Sequence, residues 1–195
     1  MFYLFTIKFF NLNLRIANRE SKTYIMKKHN GMRPHDIVIL LKIVSYGHEN
    51  WLMKDLGYDL FISLSEISES LNRSVLSGLI SSNKKRIMKS SLLDFLIYGL
   101  KYVFPQKPGT LVRGIKTSHS TTPLSNMILS EEIYVWPYFE GNSKGFSVEP
   151  LHPNVPKACL NDPKLHELLS LVDAIRLGNK REFNIAVEEL KRRIN

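Results

Sequence analysis

The sequence contains a single cysteine, Cys159, in 195 residues. An intrachain disulfide needs two cysteines, and a metal site built on thiolates needs more than one, so both are excluded. A lone thiol also fits a reducing compartment, most simply the cytoplasm. We therefore expect a cytoplasmic protein that is held together by its core and not by covalent cross-links.

Long hydrophobic runs are also missing. The apolar opening MFYLFTIKFF is interrupted by Lys8 and falls well short of the ~20 apolar residues that span a bilayer. It has neither the leading positive charge nor the small-residue cleavage site of a secretory signal. We expect no membrane association. Residues 1–32 are predicted to be a poorly structured N-terminal extension, of which residues 1–25 contribute little to the fold.

Signs of catalytic chemistry are few. There is no glycine-rich phosphate loop, and the six histidines are not spaced as metal ligands. Ser118 and Ser120, on either side of His119, lack the glycine pattern that surrounds a nucleophilic serine. Glu131 and Glu132 are adjacent, so on a strand they would point to opposite faces. We predict that the protein is not an enzyme, with no catalytic residues, no metal and no cofactor.

Acidic residues are scarce in the middle of the chain. The net charge is +9, and residues 72–116 hold nine Lys or Arg against one acid, Asp94. Residues 36–71 hold two basic residues and six acids. A concentrated positive field of this kind suits a polyanion such as DNA, RNA or a membrane surface. The alternative is a basic surface that only keeps the protein soluble.

Capping residues and apolar spacing predict a mainly α chain of the α+β class. Pro34 is suited to the first turn of a helix, which Gly47 can end in the left-handed conformation. A second helix is predicted over residues 51–60. After a three-residue break, Ser63 and Glu66 form a capping box that starts a third helix. A glycine ends this helix, and a short two-stranded hairpin follows.

The second half of the chain changes character. Residues 105–160 are rich in proline and predict extended and looped chain with one plausible strand, EEIYVWPYF. Asp162 caps a predicted helix that Gly178 closes, and a last helix, REFNIAVEELKRRI, follows. This C-terminal pair has more apolar residues than one helix face uses. The surplus predicts a dimer interface, or packing on the helix at residues 91–104.

Residues 56–80 match the requirements of a helix-turn-helix. Such a motif needs apolar residues that hold two helices at a steep angle and a small residue where they touch. Its predicted core is Leu56, Gly57, Leu60, Ile62, Ile67 and Leu71. Phe61 occupies the turn position where such motifs usually carry glycine, so we expect the turn to be made differently.

The same residues resemble the helix-turn-helix of winged-helix transcription regulators of the MarR type. The shared features are the small residue after the first leucine, IS entering the recognition helix and SGLI leaving it. SSNKKR then falls where the wing of that family would be. Beyond Ser90, the stretches LLDFLIYGLKYVFP, RGIKTSHS, VWP and LLSLVDAIRLG resemble a group of bacterial winged-helix proteins for which we know no assigned chemistry. The resemblance implies a winged-helix domain at residues 33–104 that binds double-stranded DNA.

The outward face of the predicted recognition helix supplies the candidates for reading base edges, since asparagine can read adenine and an acid can read cytosine. These candidates are Ser65, Ser68, Glu69 and Asn72. Basic residues on this helix and on the wing are the candidates for phosphate contacts. They are Arg73, Lys84, Lys85, Arg86 and Lys89.

A second hypothesis remains open. The predicted recognition helix carries Glu66 and Glu69 against Arg73 alone, which is a poor electrostatic face for DNA. The fold could therefore serve as a protein-interaction module, a control subunit that does not read DNA directly. We predict that residues 105–195 provide the loop and strand segment and the C-terminal helices for partner contact or sensing. A homodimer is also expected, since winged-helix regulators usually bind as two-fold dimers.

Overall fold

A central helix, α1 (Pro34–Tyr46), organises the computed structural model, which describes residues 31–195. Pro34 occupies its first turn, and the Asp36 carboxylate accepts a hydrogen bond of 2.8 Å from the backbone N–H of Arg33. The helix is buried from Asp36 to Ile43 and ends at a left-handed Gly47, as predicted. The predictions for residues 1–30 lie outside the described residues.

Two further helices follow, α2 (Met53–Leu60) and α3 (Leu64–Leu76), joined by residues 61–63 as predicted. The Ser63 hydroxyl accepts a hydrogen bond from the Glu66 N–H at 3.3 Å, so Ser63 caps α3. The Glu66 carboxylate accepts from the Ser63 hydroxyl at 2.8 Å. The predicted N-cap at Ser63 is therefore confirmed, and the Glu66 carboxylate lies against the Ser63 hydroxyl.

A short hairpin follows α3, and we call residues 79–88 the basic hairpin. The backbone N–H of Ser81 donates to the Arg86 carbonyl at 2.8 Å, and the N–H of Met88 donates to the Leu79 carbonyl at 3.0 Å. Ile80 pairs with Ile87 between these bonds. The predicted hairpin is thus present as a turn closed by a single β-bridge, without two extended strands.

The next helix, α4, has three parts. Lys89–Asp94 is α-helical, Phe95–Gly99 forms a π-turn and Leu100–Val103 is α-helical again. A π-turn inserts one residue into the helical register, which sequence periodicity does not reveal.

A small three-stranded sheet comes after α4. Its strands are β1 (Leu111–Lys116), β2 (Tyr134–Pro137) and β3 (Ser143–Ser147). Strand β1 is antiparallel to both others, and β2 and β3 are parallel to each other. The sequence predicted only β2. A Cβ atom on Gly114 would lie 1.9 Å from the Trp136 carbonyl oxygen, so a side chain does not fit at this position. The glycine interrupts the alternation of side chains by which a strand is recognised in a sequence.

The chain ends in three helices, α5 (Val155–Cys159), α6 (Pro163–Leu177) and α7 (Lys180–Ile194). The last two were predicted, and Asp162 caps α6 by accepting from the Leu165 N–H at 2.9 Å. Helix α6 is buried on nearly all sides between α1, α4 and α7. The apolar surplus of this helix therefore packs within one chain. These residues are Leu165, Leu168, Leu169, Leu171, Val172 and Ile175.

Polar contacts tie the start of α6 to the first helices of the chain. Lys42 on α1 contacts Asp59 at 2.7 Å and Asp162 at 2.8 Å, which joins α2 and the start of α6 to α1. Within residues 31–195 the fold is α+β, with seven helices and the three-stranded sheet, and it forms one compact unit. The two segments predicted as separate domains, 33–104 and 105–195, thus share a core.

Candidate nucleic-acid interface

The contact between α2 and α3 is built as the sequence predicts. The five apolar residues expected in the core of the motif are all buried, with at most 5% of their surface exposed. These residues are Leu56, Leu60, Ile62, Ile67 and Leu71. A Cβ atom added to Gly57 would lie 3.1 Å from both the Ile62 carbonyl oxygen and Leu64 Cδ2. Gly57 is therefore the small residue that lets the chain pass close to α2.

The turn between these helices differs from the expectation. Phe61 keeps the left-handed conformation that glycine would adopt, with φ 56° and ψ 38°. A bulky residue rarely takes this conformation, and α5 with its N-cap residue supports it here. The Asn154 side-chain amide donates to the Phe61 carbonyl at 2.7 Å, and Lys157 Nζ lies 3.9 Å from the centre of the Phe61 ring.

The outward face of α3 carries the four candidates for reading bases. Ser65, Glu69 and Asn72 are exposed, and Ser68 is half-buried. On the opposite face Ser70 and Ser74 are buried, where their small side chains let α3 lie close to α1. The exposed face is therefore polar and accessible over about two turns of the helix.

Arg73 corrects the prediction of a phosphate contact on α3. Only 7% of its surface is exposed, and its guanidinium forms a two-pronged ion pair with the fully buried Asp36. Nε lies 2.9 Å from Oδ2 and Nη2 lies 2.6 Å from Oδ1. The remaining nitrogen, Nη1, lies 3.7 Å from the Glu69 carboxylate, so the guanidinium faces acids of its own chain on both sides. Arg73 instead fixes α3 to α1.

The burial of Arg73 changes the charge of the α3 surface. The exposed charged side chains of this helix are now Glu66 and Glu69, both acidic. Phosphate attraction, if the surface binds DNA, has to come from neighbouring elements. The basic hairpin is the nearest such element in the chain.

The basic hairpin places three consecutive cations in different environments. Lys84 adopts the left-handed conformation at the tip, with φ 60°, and Arg86 is exposed. Lys85 is half-buried, donates from Nζ to the Trp51 carbonyl at 2.7 Å and lies 4.7 Å from the Trp51 ring centre. Lys89, at the start of α4, is exposed and donates to the backbone oxygen of Asn195 at 2.9 Å. All four amine or guanidinium groups keep unused donors.

Two histidines that sequence reasoning did not single out lie beside this motif. His35 Nε2 accepts a hydrogen bond from Arg73 Nη2 at 3.0 Å, because a guanidinium can only donate. The ring of His152 lies edge-on to that of His35, with the ring centres 6.0 Å apart. Burial lowers the pKa of His35 and of His152. No sequence signal could pair residues that are so far apart in the chain.

Among the described residues, no group of three or more His, Cys, Asp or Glu side chains is placed to hold a metal ion. Within residues 31–195 there is also no helix of the length and apolarity that a membrane crossing requires. Comparison with known proteins found no matching family model, no matching curated protein and no matching solved structure.

Proposed function

We propose that this protein is a cytoplasmic winged-helix regulator of transcription that binds double-stranded DNA. The observation that carries the proposal is the arrangement of α2, a three-residue break, α3 and the basic hairpin in immediate succession. In a helix-turn-helix the second helix enters the major groove. The basic hairpin then serves as the wing, as the resemblance to MarR-type regulators implies.

The proposal assigns different tasks to the two elements. Lys84, Lys85 and Arg86, with Lys89 beside them, attract the phosphate backbone and supply affinity that does not depend on sequence. The exposed polar residues of α3 reach base edges and supply sequence preference. Because the exposed charges of α3 are acidic, this helix repels the phosphates and weakens binding to random DNA.

One observation favours a second candidate function. The exposed charges of α3 are acidic, and the helix also exposes Leu64 and Leu76, at 53% and 69% of their surface. Exposed apolar residues suit the core of a protein interface, and exposed carboxylates repel a phosphate backbone. In this alternative the protein is an interaction module that keeps the fold but does not read DNA.

A salt titration of binding to random duplex DNA separates the two candidates. Neutralising phosphates releases counterions, so log K falls linearly with log salt, with a slope of about −0.9 per phosphate contact. Lys84→Gln and Arg86→Gln should each make this slope shallower by about one unit. Lys144→Gln is the matched control, because it removes an equal charge from an exposed site on β3. Binding that is weak and unaffected by salt would favour the protein-interaction module.

Glu69 tests the base-reading role. If Glu69 is only a surface acid, Glu69→Ala should tighten binding to every duplex by removing repulsion. If it accepts from a cytosine amino group, the same change should tighten random DNA and weaken a preferred site obtained by selection from a random pool. Asn72→Ala should cost roughly 1–3 kcal/mol on that site and little on random DNA. If neither variant changes the ranking of sequences, α3 does not read bases.

A further inference from the structure

A cleft of about 290 Å³ opens at the root of the basic hairpin, between the end of α1 and the end of α7. We call it the hairpin-root cleft. Four aliphatic side chains and four cations contribute to its lining. The aliphatic residues are Ile43, Val44, Ile87 and Ile194, and the cations are Lys85, Arg86, Lys89 and Arg193.

Three of these cations, Lys85, Arg86 and Lys89, keep hydrogen-bond donors for a ligand. Lys85 donates to the Trp51 carbonyl and Lys89 to an oxygen of Asn195, and each ammonium has three donors. Within residues 31–195, none of the three forms an ion pair with an Asp or Glu side chain. A fourth cation of the lining, Arg193, differs because it is already paired with Glu167 at 2.9 Å.

The lining has little negative charge of its own. Glu49 is the one carboxylate side chain among the described lining residues, and His48 stands beside it. The cleft therefore combines an excess of positive charge with an aliphatic surface. This combination is complementary to a small molecule that has an anionic group and an apolar body.

We propose that the hairpin-root cleft binds a small organic phosphate monoester. The phosphoryl group contacts Arg86, Lys85 and Lys89, and the organic part lies on the aliphatic side chains. A phosphate monoester carries a charge of about −1.5 to −2 near neutral pH, so it matches three cations better than a singly charged carboxylate does. Arginine also binds phosphoryl oxygens with two parallel hydrogen bonds. The volume limits the ligand to a small molecule, since ligand pockets usually measure about 300–1,000 Å³.

The site has a consequence for DNA binding, and this part rests on the proposed function. Arg86, Lys85 and Lys89 are also the proposed contacts with the DNA backbone. A cation that holds the ligand is not free for a backbone phosphate, so ligand and duplex exclude each other. By linkage, the ligand weakens DNA binding by the same factor as DNA weakens ligand binding.

Isothermal titration of the full chain with phenyl phosphate tests the site. Inorganic phosphate has the charge without the apolar body, benzoate has the body with a single charge, and phenol has the body without charge. We expect phenyl phosphate to bind roughly tenfold more tightly than any of the three, as the loss of one charged hydrogen bond or of the apolar contact implies. Equal binding of benzoate or of inorganic phosphate contradicts the assignment of a phosphate monoester.

Matched variants locate the binding. Arg86→Gln and Lys89→Gln should each weaken phenyl phosphate binding roughly tenfold. Lys84→Gln should leave it unchanged, because Lys84 belongs to the same hairpin but does not line the cleft. Lys84→Gln and Arg86→Gln should nevertheless both make the salt slope of DNA binding shallower. Circular dichroism melts check that each variant is folded, which the exposure of Arg86 and Lys89 leads us to expect.

The outcomes separate this site from the proposed function. If phenyl phosphate binds with the expected dependence on Arg86 and the chain does not bind DNA, the cleft is a phosphate monoester site and the DNA-binding proposal is wrong. If DNA binds with a steep salt slope and phenyl phosphate does not bind, the cleft proposal is wrong. If Lys84→Gln weakens phenyl phosphate binding as much as Arg86→Gln, the binding is diffuse charge attraction and the cleft proposal is also wrong.

Discussion

Replacing Arg73 with methionine distinguishes a structural arginine from a DNA-contacting one. In the folded chain Arg73 and Asp36 are 7% and 0% exposed, and their side chains share two hydrogen bonds. Methionine keeps most of the length of the side chain and removes its charge. Asp36 then stays buried, with a hydrogen bond of 2.8 Å from the Arg33 N–H and with His35 Nε2 3.5 Å from its carboxylate.

The expected loss of stability is large. Removing one partner of a buried ion pair costs about 3–5 kcal/mol, because the other charge is left without compensation. In a chain of this size, 1 kcal/mol corresponds to about 2–4 °C in Tm. Arg73→Met should therefore lower the Tm by roughly 6–20 °C. Removing both charges, as in the Asp36→Leu and Arg73→Met double variant, should restore most of this loss, since a buried pair contributes little net stability.

Urea denaturation followed by circular dichroism measures the free energies of the four proteins in this double-mutant cycle. Asn72→Ala is the control, because Asn72 is an exposed neighbour on the same helix and should change stability by less than about 0.5 kcal/mol. A cost below about 1 kcal/mol for Arg73→Met would refute the buried pair. If Arg73→Met instead leaves stability unchanged and makes the salt slope of DNA binding shallower, Arg73 contacts a phosphate.

Three further predictions concern the stability of the folded chain. Gly57→Val should destabilise the fold by roughly 1–3 kcal/mol in urea denaturation through overpacking against residues 62 and 64, whereas Tyr58→Val, at a position 81% exposed, should change it by less than about 0.5 kcal/mol. Stability should fall as the pH is lowered below about 6.5, because the pKa values of His35 and His152 are lowered in the fold and the unfolded chain binds protons there more readily. A melting temperature that is independent of pH between 7 and 5 would contradict this, as would a pH dependence that is the same in the His35→Gln variant. Deleting residues 161–195 should abolish the cooperative melt, because α6 is part of the core, and a cooperative melt of the truncated chain would show that residues 31–160 fold without α6 and α7.

The sequence was sufficient for the elements that local signals define. Pro34 and the capping serine at position 63 act within one turn of helix, and the core leucines of α2 and α3 recur at helical spacing, so these elements could be predicted without the rest of the chain. The hairpin was predictable for the same reason. Its ends follow from the glycine that ends α3 and from the polar run between Ile80 and Ile87.

What the sequence could not show depends on partners far along the chain. Arg73 looked like a surface cation because its partner, Asp36, is 37 residues away on another helix. Strand β1 escaped prediction because Gly114 is required by the close passage of β2, not by any local pattern. Phe61 takes a glycine-like conformation with support from Asn154, 93 residues further on. In each case the tertiary fold, and not local propensity, decides the role of the residue.

The division of charge between α3 and the basic hairpin sets a limit on the salt dependence of DNA binding. With Arg73 withdrawn into the core, the proposed phosphate contacts are Lys84, Lys85, Arg86 and Lys89. At about 0.9 per contact, four contacts give a slope of about −3.6 for one chain and about −7 for a two-fold dimer. Sedimentation of the complex gives the number of chains, so slope and stoichiometry can be compared directly. A slope of −7 from a single bound chain would mean that other cations contact the backbone, with Lys157 beside the α2–α3 turn the first to test.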